Sequence, residues 1–270
     1  MANLKALVTS VELCSTITFP TLKKLSVNDM LTGHELADLE LKVSFPCFTD
    51  VVTIWSSVSK HVRQQLLKKK PRAVSITGLG TFHIKKWHCF ENGKMITLQG
   101  PVFSLSGTVA QIRDLHHASV PIPGDIKEVS VSYKRIHLDV PYSEKVVQHC
   151  MQETLNFFYF ILKKKEDTDF ILKDVGTLAI RGTEVTMAFC EDFLLSLNES
   201  TDMVEKLLTK KWVISDKEVT LFPSYFGRVH QFPQFEIRVV PRRISLTDIE
   251  TFTEVESGMS STGIKGNVSD

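Results

Sequence analysis

Apolar residues at Val51, Ile54, Trp55, Val58, Val62 and Leu66 recur every three or four positions, the stripe of an amphipathic helix. Thr49 or Asp50 can cap this helix after Pro46, and its closing lysines suit the negative end of the helix dipole. The pattern predicts an end near Lys69, with Pro71 as the stop. The period then becomes alternating. Ala73 to Ile76 reads as a strand, and after a Gly-x-Gly turn Thr81 to Trp87 reads as another, with Phe82 and Ile84 on one face. Asn92-Gly93 supplies the positive φ angles of a tight hairpin, so Met95 to Leu98 returns as a third strand. Pro101-Val102-Phe103 continues it at the sheet edge, and Thr108 to Leu115 forms a closing helix. Upstream, Leu4, Leu7, Val8 and Val11 have helical spacing, and a short helix passes through Leu36, Leu39 and Leu41. Residues 1–45 are assigned to an N-terminal helical segment of the first domain.

The same order returns further along. Gly78-Leu79-Gly80-Thr81-Phe82 reappears as Asp174-Val175-Gly176-Thr177-Leu178 at an offset of 96, and Leu66 to Lys70 reappears as Ile161 to Lys165 at an offset of 95. A period of this length suits a small domain used twice rather than a solenoid unit. In the second copy Ser143 caps a helix from about Glu144 to Lys164, Phe170 to Leu172 is a strand, and Leu178–Ile180 and Val185–Phe189 flank a tight turn. Phe193 to Leu197 is matched to Val102 to Leu105, with Phe193 in the place of Phe103, which makes the second hairpin six residues shorter. The resulting division is a first domain at 46–118, a linker at 119–142, a second domain at 143–211, additional strands at 212–243 and a disordered tail at 244–270. Gly78, Gly80, Thr81, Phe82, Phe103, Gly176, Thr177 and Phe193 are the residues expected to define the fold. The fold class is α+β, each copy placing helices on a small antiparallel sheet.

Overall net charge is only +1, but it is unevenly divided: residues 47–117 carry +7 and residues 125–211 carry −3. The basic copy has Lys68, Lys69, Lys70, Arg72, Lys85, Lys86 and Lys94 as its candidate polyanion contacts. The opposite signs also favour association of the two copies with each other. The five cysteines are scattered, odd in number and without a CxxC pair, so zinc is not expected and a reducing, intracellular compartment fits. The longest apolar run, Phe157 to Leu162, is far short of a membrane span, and no signal peptide is read at the N-terminus.

No chemistry-bearing motif emerges. Gly78-Leu79-Gly80 precedes a strand, not a helix N-terminus, and reads as a structural turn. His116-His117 would point in different directions on a helix, which suits the surface better than a metal. Cys89 and Cys150 have His88 and His149 beside them and Cys190 has none, but adjacency in sequence makes no catalytic dyad. No catalytic residue, cofactor or metal is assigned.

The run of helix, strand, Gly-x-Gly-Thr-Phe, strand, hairpin arm, Pro-Val-Phe and helix resembles the HU/IHF family of bacterial DNA-bending proteins, on Gly78, Gly80, Thr81, Phe82, Pro101, Val102 and Phe103. In that family two chains intertwine and two β-arms enter the minor groove, each with a wedging proline at its tip. Here the arm tip is Asn92-Gly93, without a proline. The tandem arrangement, the helix segments Ile54–Val58 and Arg63–Leu67 and the linker Pro123-Gly124-Asp125-Ile126 are similar to the coiled-coil domain-containing protein 81 family, over about residues 45–200. That resemblance implies two HU-like domains, a eukaryotic source and a centrosomal association. With no heptad run after residue 200, the chain resembles a short or truncated relative.

These readings combine into two tandem HU/IHF-like domains pairing as an intrachain pseudo-dimer, and hence a monomer in solution. The expected role is a non-enzymatic scaffold or protein-interaction module, cytoplasmic and at the centrosome, with an unidentified protein partner and no membrane. The alternative is an architectural DNA-binding protein using the basic first domain; weak or no nucleic-acid binding is expected.

Overall fold

The apolar stripe becomes one face of helix α1 (Phe48–Leu66), on which Ile54, Val58, Val62 and Leu66 are fully buried and Trp55 nearly so. The computed structural model describes residues 48–116 and 120–243 of the chain. After α1 come β1 (Ala73–Ile76), β2 (Gly80–Glu91), β3 (Lys94–Leu105) and α2 (Gly107–Arg113). Strand β4 (Glu128–Ser130) then lies parallel to β1, giving the sheet order β3-β2-β1-β4. The second half runs α3 (Tyr133–Ile136), α4 (Glu144–Lys163), β5 (Thr168–Leu172), β6 (Gly176–Arg181), β7 (Glu184–Phe189), α5 (Glu191–Asn198) and α6 (Thr201–Thr209). It ends with β8 (Ile214–Ser215), α7 (Asp216–Val219), β9 (Arg228–Phe232) and β10 (Glu236–Val239), in a sheet of order β10-β9-β5-β6-β7-β8. The three strands of each repeat are antiparallel as their hairpins require, but β4, β8 and β9 add parallel pairs, so both sheets are mixed. The segment 119–142, read as a linker, contains β4 and α3; the segment 212–243 holds α7 as well as strands. The N-terminal helices and the C-terminal tail expected from sequence lie outside the described residues.

The repeated motif has a geometric cause. Gly78 and Asp174 both take positive φ, 86° and 58°, the region that glycine and, less readily, aspartate tolerate. Leu79 and Val175 are fully buried beneath this turn. At Gly80 and Gly176 the third strand passes so close that a Cβ would strike the Phe103 ring and the Ala188 carbonyl respectively. Ser106 N–H then bonds Leu79 O at 3.0 Å, and Cys190 N–H bonds Val175 O at 2.9 Å, starting the next helix at the same place in both copies.

That register corrects one equivalence. Gly80 faces Leu105 and Gly176 faces Phe189, so Phe82 pairs with Phe103 while Leu178 pairs with Met187. Met187, not Phe193, is the counterpart of Phe103; Phe193 is a buried residue of α5, in the place that Val109 holds in α2. The second hairpin is shorter than six lost residues would make it, since β2 and β3 have 12 residues each and β6 and β7 have 6 each. Val102-Phe103 and Asp192-Phe193 look alike in sequence but sit on opposite sides of a strand-to-helix boundary.

Both repeats share one core. Trp55 of α1 meets Phe170 of β5 edge-on, with ring centroids 4.8 Å apart, and Phe170 in turn meets Phe158 of α4 at 5.3 Å. Tyr159 of α4 donates its hydroxyl to Gly78 O at 2.6 Å, reaching the turn of the first copy. Arg113, at the end of α2, donates to Lys165 O and Glu166 O just beyond α4. Arg63 of α1 reaches across in the same direction, donating to Ser196 of α5 at 2.8 Å. Phe82 and Leu178 occupy equivalent buried positions, 0% and 1% exposed. Phe82→Ala should cost about 3–5 kcal/mol, because it empties the space facing Phe103. A denaturant titration should show that loss as a shift of one cooperative transition, with both repeats melting together.

Candidate functional site

The long β2–β3 hairpin is the element that distinguishes the first copy, and its apolar residues change sides along its length. At the base, Phe82, Ile84, Pro101 and Phe103 occupy one face. Beyond Lys85-Lys86 the inward-facing set is Trp87, Cys89, Ile96 and Leu98, on the opposite face. Alternation in a strand fixes which residues share a face, so this switch means that the outer arm packs against something other than its own helix.

The packing partner is the second copy. Trp87 stacks on Trp212, with centroids 5.5 Å apart and planes 9° from parallel. Lys85 lies 5.7 Å over the Trp87 ring and Lys210 lies 5.6 Å over the Trp212 ring, so each ring of the stack also has its own cation–π contact. At Gly100 a Cβ would come within 2.6 Å of Trp87 and 3.0 Å of Val213, so only glycine lets the arm lie this close. Asn198, ending α5, uses its amide like a strand: Gln99 N–H donates to Asn198 Oδ1 at 2.9 Å and Asn198 Nδ2 donates to Gln99 O at 2.8 Å. At the tip, Lys206 of α6 meets Glu91 at 2.6 Å and also Asp202, which together raise its pKa above the ordinary lysine value. The opposite face of the outer arm is presented outward, where the cross-strand neighbours Phe90 and Met95 are 78% and 69% exposed.

The seven sequence-predicted cations do not form one surface. Lys68, Lys69 and Lys70 follow α1 and are exposed, as is Arg72 before β1. Arg135 of α3 joins this end: it and Lys68 both act on His61, whose pKa is lowered first by burial and then by these charges. Lys85 and Lys86 are exposed on opposite faces of β2. Lys94 stands opposite Glu91 at the tip, about 20 Å beyond Lys85 along the strand. The Trp87–Trp212 stack and the Asn198 clamp were not foreseen; the face switch at Lys85-Lys86 was the available signal.

Other candidate groups are structural. Burial pushes the Cys150 thiol up to about 12, which keeps it protonated and inert. Asp169 is buried between Arg181, 2.8 Å away, and Arg238, 3.0 Å away; burial raises its carboxyl pKa against the pull of both guanidinium groups. Asp167 accepts the backbone N–H groups of Gly182 and Tyr225. Among the described residues no cluster of three or more His, Cys, Asp or Glu side chains could hold a metal, and no helix is long and apolar enough to cross a membrane.

His83 is fully buried in β2, neither ring nitrogen has a hydrogen-bond partner, and its pKa is lowered by burial and then by Lys85. The folded chain therefore holds fewer protons than the unfolded chain just below pH 6.5, and stability falls as pH drops through that value toward the folded pKa. His61 and His230 are shifted the same way, so they add to the trend. His83→Leu should remove part of the loss between pH 7.5 and 5.5, measured as a smaller change in the urea midpoint than in the wild type.

Two family matches agree with this arrangement of turns, arm and helices. CCDC81 eukaryotic HU domain 1 matches residues 48–117, and CCDC81 eukaryotic HU domain 2 matches residues 128–201. The second match begins at β4, so it takes in α3 ahead of the long helix α4. Together the matches cover more than half of the 270 residues, in the order that the repeat requires. The chain belongs to the coiled-coil domain-containing protein 81 family and carries its two eukaryotic HU domains in tandem.

Proposed function

We propose that this protein is a non-enzymatic scaffold, a protein-interaction module in which the tandem HU-like domains serve each other as the two halves of an HU-type pair. The observation that carries this reading is the state of the first arm. One face is committed to the second domain through Trp87, Leu98 and the Asn198 clamp, and the other offers Phe90 and Met95 to solvent. An arm that gripped DNA would need a free hairpin with basic flanks and a wedge at its tip. This arm has an Asn92-Gly93 tip, and its lysines are spread over two faces and about 20 Å. Exposed large apolar side chains side by side suit a protein partner, for which they supply contact area at low desolvation cost. A role at the centrosome, in the cytoplasm, is the part of this reading that rests on the family resemblance alone.

The full chain, fused to a fluorescent protein in cultured eukaryotic cells, should concentrate at a centrosome marker. The double variant Phe90→Asp, Met95→Asp should keep the wild-type circular dichroism and melting curve yet lose that concentration. A diffuse or nuclear wild type, or a double variant that localises normally, would remove the support for this reading. In a parallel titration, duplex DNA should bind no tighter than about micromolar near physiological salt. A nanomolar, sequence-selective complex would put the DNA-binding role in its place.

A further inference from the structure

A groove opens where the first arm lies over the second sheet. Its walls include Trp87 and Val102 of the arm, Val185 and Met187 of β7, and Trp212 and Ile214 behind α6. Each of these six residues is half-buried, so the groove is an apolar surface still open to solvent. It encloses about 430 Å³, room for a few large side chains. Three cations gather around the Trp87–Trp212 stack: Lys85 and Lys211 line the groove, and Lys210 lies over the Trp212 ring. All three are exposed, and none is ion-paired to a carboxylate among the described residues. An occupant that fits must be apolar and acidic at once.

The described chain ends beside this groove. Arg243, the last described residue, pairs with Glu184 at the start of β7 and lines a smaller hollow with Thr186; Thr186 also lines the groove. Another 27 residues follow Arg243, with five acids against one lysine. Four of those acids fall within Asp248-Ile249-Glu250-Thr251-Phe252-Thr253-Glu254-Val255-Glu256, where acids and threonines flank each large apolar residue and no cation occurs. Ile249 can reach about 20 Å from Arg243 and Phe252 about 30 Å, whereas the groove follows β7 for about 13 Å, over residues 185–189. The 47 residues ahead of α1 match the groove less well, with four lysines against five acids.

We infer that residues 248–256 of this chain dock in its own groove. Ile249, Phe252 and Val255 supply the apolar side chains, and the four carboxylates face Lys85, Lys210 and Lys211. Burial of the apolar side chains holds the segment, while attraction of opposite charges steers it and weakens with salt. A segment tethered four residues beyond Arg243 is present at an effective concentration on the order of millimolar, so even a weak contact is occupied. Phe90 and Met95 lie on the opposite face of the arm, and this docking leaves them as they are.

Amide hydrogen exchange of the full chain at low concentration reads the docking. Peptides covering residues 246–256 should exchange at least about tenfold more slowly than the same sequence as a free peptide. The double variant Lys85→Glu, Lys211→Glu should remove that protection and keep the wild-type circular dichroism, since both side chains are exposed. Phe252→Asp should remove it from the other side of the contact. Benzoylphenylalanine in place of Phe252, in an otherwise wild-type chain, should on irradiation cross-link within one chain, to groove residues such as Val185, Met187 or Trp212. Free exchange of residues 246–256, protection that survives the double charge reversal, or cross-links elsewhere in the chain or to a second chain would overturn the inference.

Discussion

The contact of α1 and α4 across the two repeats is the interaction on which the other arrangements rest. Each helix has a wide apolar face that its own three-stranded sheet is too small to cover. Trp55 illustrates the solution: it is almost fully buried, and its ring partner is Phe170 from the second sheet. The edge-on geometry adds about 0.5–1.5 kcal/mol to the area buried, but position matters more than this increment. Once the helices are in register, the closing helices fall across the boundary. Arg113 of α2 reaches the carbonyls after α4, and Asn198 of α5 reaches the backbone of β3. The repeats are thus interleaved rather than set side by side, and neither has a complete core of its own.

The two arms follow from this asymmetry. The first keeps 12-residue strands because α5, α6 and Trp212 give its outer half a surface to lie on. The second stops at six residues, and strands β9 and β10 extend its sheet on the other side. There the Asp169, Arg181 and Arg238 cluster ties β5, β6 and β10 together. A buried ion cluster is weak support for stability once desolvation is counted, but removing one member leaves the others uncompensated. Its contribution here is to fix which strands are neighbours. The chain has therefore kept one unit twice while giving the copies different jobs: the first supplies a long arm, the second the platform beneath it.

Much of the fold was legible in the sequence because local constraints wrote it there. The α1 stripe, the Ser143 cap, the Asn92-Gly93 hairpin and the Gly80 and Gly176 turns each depend on a few neighbouring residues, and a steric rule at each makes the pattern unambiguous. The register of the second hairpin was not legible, because a Val-Phe and an Asp-Phe pair look alike in one dimension while one lies in a strand and the other in a helix. Strand β4, inside a segment rich in proline and glycine, was hidden for a related reason: Glu128-Val129-Ser130 becomes a strand only because β1 offers it an edge.

The candidate surface divides the same way. Sequence alone identified the cations, the prolineless tip and the repeat, and with them the family. It could not say that Lys85 and Lys86 point to opposite faces of a docked arm, or that Trp87 finds Trp212 across 125 residues of chain. Local patterns determine elements, since they act through steric limits on neighbouring residues. Which element covers which is decided by burial, a property of the whole folded chain: the face of a strand that turns inward is the one that another part of the molecule happens to reach.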